Sequence, residues 1–203
     1  MNRIRLIPVD NTEAGVLENL REDLAAAFEC EVVVDPPLEP PDYAHNSKRQ
    51  QYLSTAILSR LQKVPLDKAE RLLGIVDLDL YIPDMNFVFG EADTEERVAV
   101  ISLCRLRQEY YGLPPDDRLF GLRTLKEAVH ELGHTYGLEH CPEPRCIMYF
   151  SSTIEDTDEK GPLFCEQCFK QLTEHKERGG WVEPEERSGW GLLTALREIF
   201  KRR

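Results

Sequence analysis

The sequence predicts an α+β fold: a mixed, mostly parallel twisted sheet with flanking helices, and a small C-terminal part clipped by metal. Three observations predict it. The chain opens strand, helix, strand over residues 4–34, the pattern of two parallel strands joined by a crossover helix. A long helix with apolar positions Leu119, Leu122, Leu125, Ala128, Val129 and Leu132 then leads into three histidines. Beyond His140 apolar periodicity nearly vanishes until Phe164, while four cysteines appear. A stretch with so little to bury is ordered naturally by thiolate-bound zinc, whose binding free energy adds directly to folding.

Taken in order, residues 4–9 read as a strand, and Asp10, Asn11 and Thr12 as a turn and helix cap. Val16, Leu17, Leu20, Leu24, Ala27 and Phe28 recur at helical spacing, and Val32, Val33 and Val34 make a short β-branched strand. Four prolines within residues 36–47 predict an irregular surface connection. Helices are expected over 50–61 and 67–73, followed by a strand over 74–80. Pro83 interrupts, and the short extended run 86–90 reads as an edge strand. Acidic residues 91–96 read as a loop before a buried strand at 98–103. The turn at Pro114, Pro115 and Asp116 starts the long helix, and a later helix runs from about Cys165 to 176. Gly179 and Gly180 end that element, and residues 192–200 read as a final amphipathic helix. One domain is expected, with an upper part to about residue 137 and a lower part over 138–203.

Hydrophobic content of 41% and charged content of 31% fit a folded soluble protein. A net charge of −12 argues against nucleic acid or an anionic membrane as main partner. No apolar run reaches the roughly 18 residues of a membrane span, and no signal peptide or propeptide is expected. A cytoplasmic monomer is the resulting expectation. Of the six cysteines, Cys141 and Cys146 are spaced C-x4-C and Cys165 and Cys168 C-x2-C, which favours zinc over disulfides in such a chain.

The densest chemistry lies at His130, Glu131, His134, Gly137 and His140, spaced H-E-x-x-H-x-x-G-x-x-H. Four residues apart on a helix, His130 and His134 aim two imidazoles at one ion from a single face. A continuing helix would carry His140 roughly 9 Å beyond His134, so the helix has to stop. Gly137 permits the stop, because glycine adopts the left-handed conformation that ends helices. Three neutral imidazoles and an open fourth position describe a catalytic zinc, which lowers the pKa of its water to about 7. Glu131 stands beside the metal, placed to take the proton.

This motif resembles that of the metzincin metalloproteases, and the cysteines narrow the resemblance to the archaemetzincins. Cys141 follows the third histidine directly, Cys146 precedes Met148 by two residues, and Cys165 and Cys168 follow. The resemblance implies a metzincin-like zincin fold and a zinc-dependent peptidase that hydrolyses peptide bonds with Glu131 as proton acceptor. It also implies Met148 in a turn beneath the catalytic zinc, and a second, structural zinc on Cys141, Cys146, Cys165 and Cys168, hence two zinc ions per chain. A peptide or protein substrate would lie along an edge strand above the cleft, for which Asn86, Phe87, Val88 and Phe89 are the candidates. Some metzincins carry a functional tyrosine two residues after the methionine; Phe150 holds that position here, and Tyr149 falls one residue short.

Cys30 and Cys104 read as small buried hydrophobes, and His45 and His175 as solvent-facing side chains. The rival function is a non-proteolytic zinc protein that binds peptides or organises an interaction. Glu131 separates the two readings, since binding can dispense with it and hydrolysis cannot.

Overall fold

The computed structural model describes residues 3–178 apart from 11 and 69, together with Glu198. In chain order the elements are β1 (Arg3–Pro8), α1 (Ala14–Phe28), β2 (Glu31–Val34), β3 (His45–Asn46), β4 (Gln51–Leu53), α2 (Ser54–Leu61), β5 (Glu70–Val76) and β6 (Leu80–Tyr81). There follow β7 (Gly90–Asp93), β8 (Val98–Ser102), α3 (Asp117–Thr135), α4 (Ile154–Glu159) and α5 (Glu166–Arg178). The main sheet runs β2-β1-β5-β8-β7, parallel throughout except that β7 closes one side antiparallel to β8. A small second sheet joins β3, β4 and β6.

Alternation along the central strands builds a core on each face. Ile4, Leu6, Leu73, Ile75, Ala99 and Ile101 meet α1 and α3 on one side. Ile7, Leu72, Val76, Val98 and Val100 meet Ile57, Leu58 and Leu61 of α2 on the other. Residues 72–76 of β5 and 98–101 of β8, buried on both faces, are continuous apolar runs, as parallel sheets require. The opening parallel unit of β1, α1 and β2 is as expected.

Several elements differ from the sequence reading. Residues 70–73 of the helix expected over 67–73 belong instead to the strand β5, whose seven residues are all buried. The strand expected over 74–80 ends at Val76, and Leu80 and Tyr81 pair separately with β4. The helix expected over 50–61 begins at Ser54, because Gln51 to Leu53 pair with β3 and β6. Asp10, Asn11 and Thr12 were expected to cap α1, yet its N-cap is Glu13 without a side-chain cap bond; Thr12 Oγ1 donates to the Ile75 carbonyl at 3.2 Å instead. The acidic loop expected over 91–96 contains the sheet's edge strand β7, whereas Val88 makes only an isolated bridge to Leu80. The helix expected over 192–200 lies outside the described residues but for Glu198.

Candidate active site

The helix α3 is capped by Asp116, whose side chain accepts from the Leu119 N–H at 2.8 Å. Leu125, Ala128, Val129 and Leu132 are fully buried and fix its rotation against the sheet. Its far end stops as the glycine predicts. The Leu138 N–H donates to the Gly133 carbonyl at 3.2 Å and the Gly137 N–H to the His134 carbonyl at 2.8 Å, with Gly137 at φ +82°. That pair of bonds around a left-handed glycine is the Schellman ending. The chain then doubles back, and the ring centroids of His130, His134 and His140 lie 4.7 to 5.3 Å apart.

The orientation of two rings is set from behind. His130 Nδ1 lies 2.8 Å from the Ile147 carbonyl and His134 Nδ1 2.7 Å from the Leu138 carbonyl, so each Nδ1 carries the proton. Their Nε2 atoms therefore face each other as bare lone pairs, 3.2 Å apart. Two ligands at about 2.0–2.1 Å from a tetrahedral zinc sit about 3.4 Å apart, so the spacing fits that ion. All three imidazoles are held below their ordinary pKa, chiefly by burial, which keeps them in the neutral form a metal needs.

Glu131 shares the cleft with the histidines, and burial lifts its carboxyl well above the usual carboxylate range, with the Glu127 charge adding to the effect. Met148 is fully buried beneath α3, so close that a Cβ on Gly133 would sit 2.5 Å from its Sδ. The cleft holds about 340 Å³ and is walled by Phe87, Val88, Phe89 and Gly90 on one side and Phe150 on the other. Asn86 does not line the cleft, and its backbone carbonyl accepts from Arg49 and Gln51 at 2.9 Å each. Among the described residues β7 ends the sheet on the side opposite β2, so this edge strand lies a few residues later than residues 86–89.

The four cysteines also converge, all four sulfurs lying within 4.8 Å of one another. Cys141 and Cys165 stand 3.7 Å apart, close to the roughly 3.8 Å of two thiolates on one tetrahedral zinc and far beyond a disulfide bond. Burial pushes the Cys146 thiol up to about 11, so a dication is what would favour its deprotonation. Cys30 and Cys104 are only half-buried, each with its thiol raised by burial to about 11. His45 is exposed, but His175 is half-buried against Gly137 rather than solvent-facing, because α5 folds back over the helix ending.

Sequence reasoning missed the charged residues on α3. Arg123 holds Asp158 through two bonds of 2.7 and 2.6 Å, Lys126 donates to the Thr157 and Asp158 carbonyls, and Glu127 pairs with Lys160 at 2.8 Å. All three are buried. Charges interleaved with an apolar helix face are the only signal of this in the sequence, and their partners lie 31 to 35 residues on.

The family model described as "Peptidase family M54" matches residues 34–174. The chain belongs to this family. M54 relatives cover most of its length: the archaemetzincin of Pyrococcus abyssi is 40% identical over 88% of this chain and 98% of its own. The crystal structure of archaemetzincin from Methanopyrus kandleri superposes with a TM-score of 0.76 at 36% identity, covering 87% of this chain and 96% of that one. A zinc-dependent peptidase from Methanocorpusculum labreanum superposes at 0.75 with 31% identity over 83% and 99%. The protein is a zinc metallopeptidase with the archaemetzincin fold, and its substrates are peptides. No helix among the described residues is long and apolar enough to cross a membrane.

Proposed function

We propose that the protein hydrolyses peptide bonds at a zinc held by His130, His134 and His140, with Glu131 as general base and then general acid. The observation behind this reading is the convergence of three neutral imidazoles in an open cleft beside a buried carboxyl. When bound, zinc supplies a Lewis acid for the scissile carbonyl and acidifies water to a pKa of about 7. Glu131 takes the proton of the attacking water and returns it to the leaving amine. Burial raises its pKa, which makes the carboxylate a stronger proton acceptor than a solvated one.

The remaining parts have supporting roles in this reading. Met148 and the carbonyls of Ile147 and Leu138 keep the imidazoles oriented. Cys141, Cys146, Cys165 and Cys168 hold a second, structural zinc that fastens the lower part of a single domain, making two zinc ions per chain. An extended peptide lies along the open edge of β7, with Phe87 and Phe89 contributing apolar wall. The protein works as a cytoplasmic monomer.

A peptide library presented to the wild type and to Glu131→Gln tests the proposal. Cleavage by the wild type, reduced by a factor of about 10²–10⁴ in the variant, is the expected result. Peptide binding by both, with cleavage by neither, would leave a binding module and end the enzymatic reading of this site.

A further inference from the structure

Glycine stands at position 90, where the backbone does not require it. Gly90 has no positive φ and pairs regularly with Ile101 across the antiparallel ladder of β7 and β8. In such a place glycine weakens a strand relative to alanine. Two residues on, and on the same face of the strand, Ala92 keeps its methyl packed against the core. The difference is what lies opposite. A Cβ built on Gly90 would stand 2.6 Å from both Cγ and Oε1 of Glu131 and 2.7 Å from its Cδ, and these are the three nearest atoms it would meet.

We propose that Gly90 is a positioning residue whose missing side chain forms the slot for the Glu131 carboxylate, so that the edge strand itself fixes the carboxylate's rotamer. The inference rests on the reading of Glu131 as the proton-handling group. Which side gives way decides the consequence of filling the slot. β7 is held by its ladder to β8, by Thr55 Oγ1 donating to Glu91 at 3.0 Å, and by Gln62 Nε2 donating to Asp93 at 2.9 Å. Just past its end, Thr94 Oγ1 donates to the His134 carbonyl at 2.8 Å, tying the strand to the end of α3. Glu131 is one flexible side chain. A methyl at position 90 therefore swings the carboxylate away and leaves strand, helix and histidines in place.

Gly90→Ala separates this role from a merely structural one. Zinc content and the urea midpoint stay at wild-type values, while kcat on a peptide that the wild type cleaves falls about a hundredfold with KM little changed. Both Gly90→Ala and Glu131→Asp act on one carboxylate, so their losses are not additive, and the double variant is no slower than Glu131→Asp by more than about threefold. A second readout needs no turnover. A peptide hydroxamate, which chelates the metal and hydrogen-bonds the neighbouring carboxylate, binds about tenfold more weakly to Gly90→Ala, whereas a small thiol that meets only the metal binds equally well. If the wild type cleaves no peptide, the proposed function falls, and the hydroxamate comparison still decides the role of Gly90. Wild-type kcat, unchanged hydroxamate affinity or additive losses would each overturn the inference. Should Gly90→Ala fail to fold, recovery in Gly90→Ala/Glu131→Ala would support the slot, and continued failure would refute it.

Discussion

Lys160 offers a sharp test of how α3 is anchored beneath the cleft. None of its side chain is exposed, and its Nζ lies 2.8 Å from Oε1 of Glu127, itself only 3% exposed. The same oxygen accepts from Thr157 Oγ1 at 3.2 Å, while the ammonium makes no well-aligned hydrogen bond to set beside its ion pair. Lys160→Met keeps most of the stem and removes the charge, leaving the Glu127 carboxylate with a single hydroxyl. Breaking a buried pair from one side costs about 3–5 kcal/mol, whereas replacing both partners with apolar groups of similar volume is close to neutral. At about 2–4 °C per kcal/mol for a chain of this size, the single variant should lose roughly 6–20 °C in Tm. The double variant Lys160→Met/Glu127→Leu should recover most of that loss. Thermal and urea unfolding with zinc in fixed excess measure the Tm and the free energy of both variants. A Lys160→Met loss under about 1 kcal/mol, or a double variant as unstable as the sum of two singles, would refute the reasoning.

Two further outcomes follow from the lower part of the chain. Gly137→Ala puts a Cβ on a left-handed residue, costing about 1–2 kcal/mol, and places it 2.9 Å from the His175 ring; urea unfolding should show at least that loss, and wild-type stability would contradict the Schellman ending. Elemental analysis of Cys165→Ser/Cys168→Ser should find zinc falling from two ions per chain to one, with stability lost in step, and an unaltered zinc content would remove the four-cysteine site.

Much of the site was legible because its signals are local. Gly137 announced the helix ending from the spacing of His134 and His140 alone, and the cysteine pairs announced their convergence by their intervals. What was not legible depends on partners far along the chain. Residues 67–73 look helical because Lys68, Glu70 and Arg71 interrupt the apolar run. In the fold Glu70 meets Arg3 and Arg5, and the Arg71 guanidinium lies 3.5 Å over the Tyr136 ring, so charged residues sit buried in a central strand. The edge strand β7 has no apolar run to betray it, and its Glu91 and Asp93 are satisfied by α2. The buried charges of α3 are likewise explained by α4, by Lys160 just past it and by the Leu106 carbonyl, none of them a neighbour in sequence.

The contacts around α3 fall into two kinds with separable effects. Ile147, Leu138 and Met148 act on the rings of His130 and His134 or on the helix between them, and so on the proposed mechanism bear on metal binding. The three atoms nearest to a Cβ at Gly90 all belong to Glu131, so on the proposed mechanism a change at Gly90 acts on proton transfer and not on the nitrogen donors. Metal ligation by three fixed donors tolerates a displaced neighbour, whereas proton transfer needs heavy atoms within about 2.6–3.2 Å. Variants of the first kind should therefore lose zinc and activity together, and those of the second kind activity alone. The antiparallel pairing of β7 with β8 is what makes the second kind possible, because it brings a side-chain-free backbone position against Glu131 in the C-terminal third of α3.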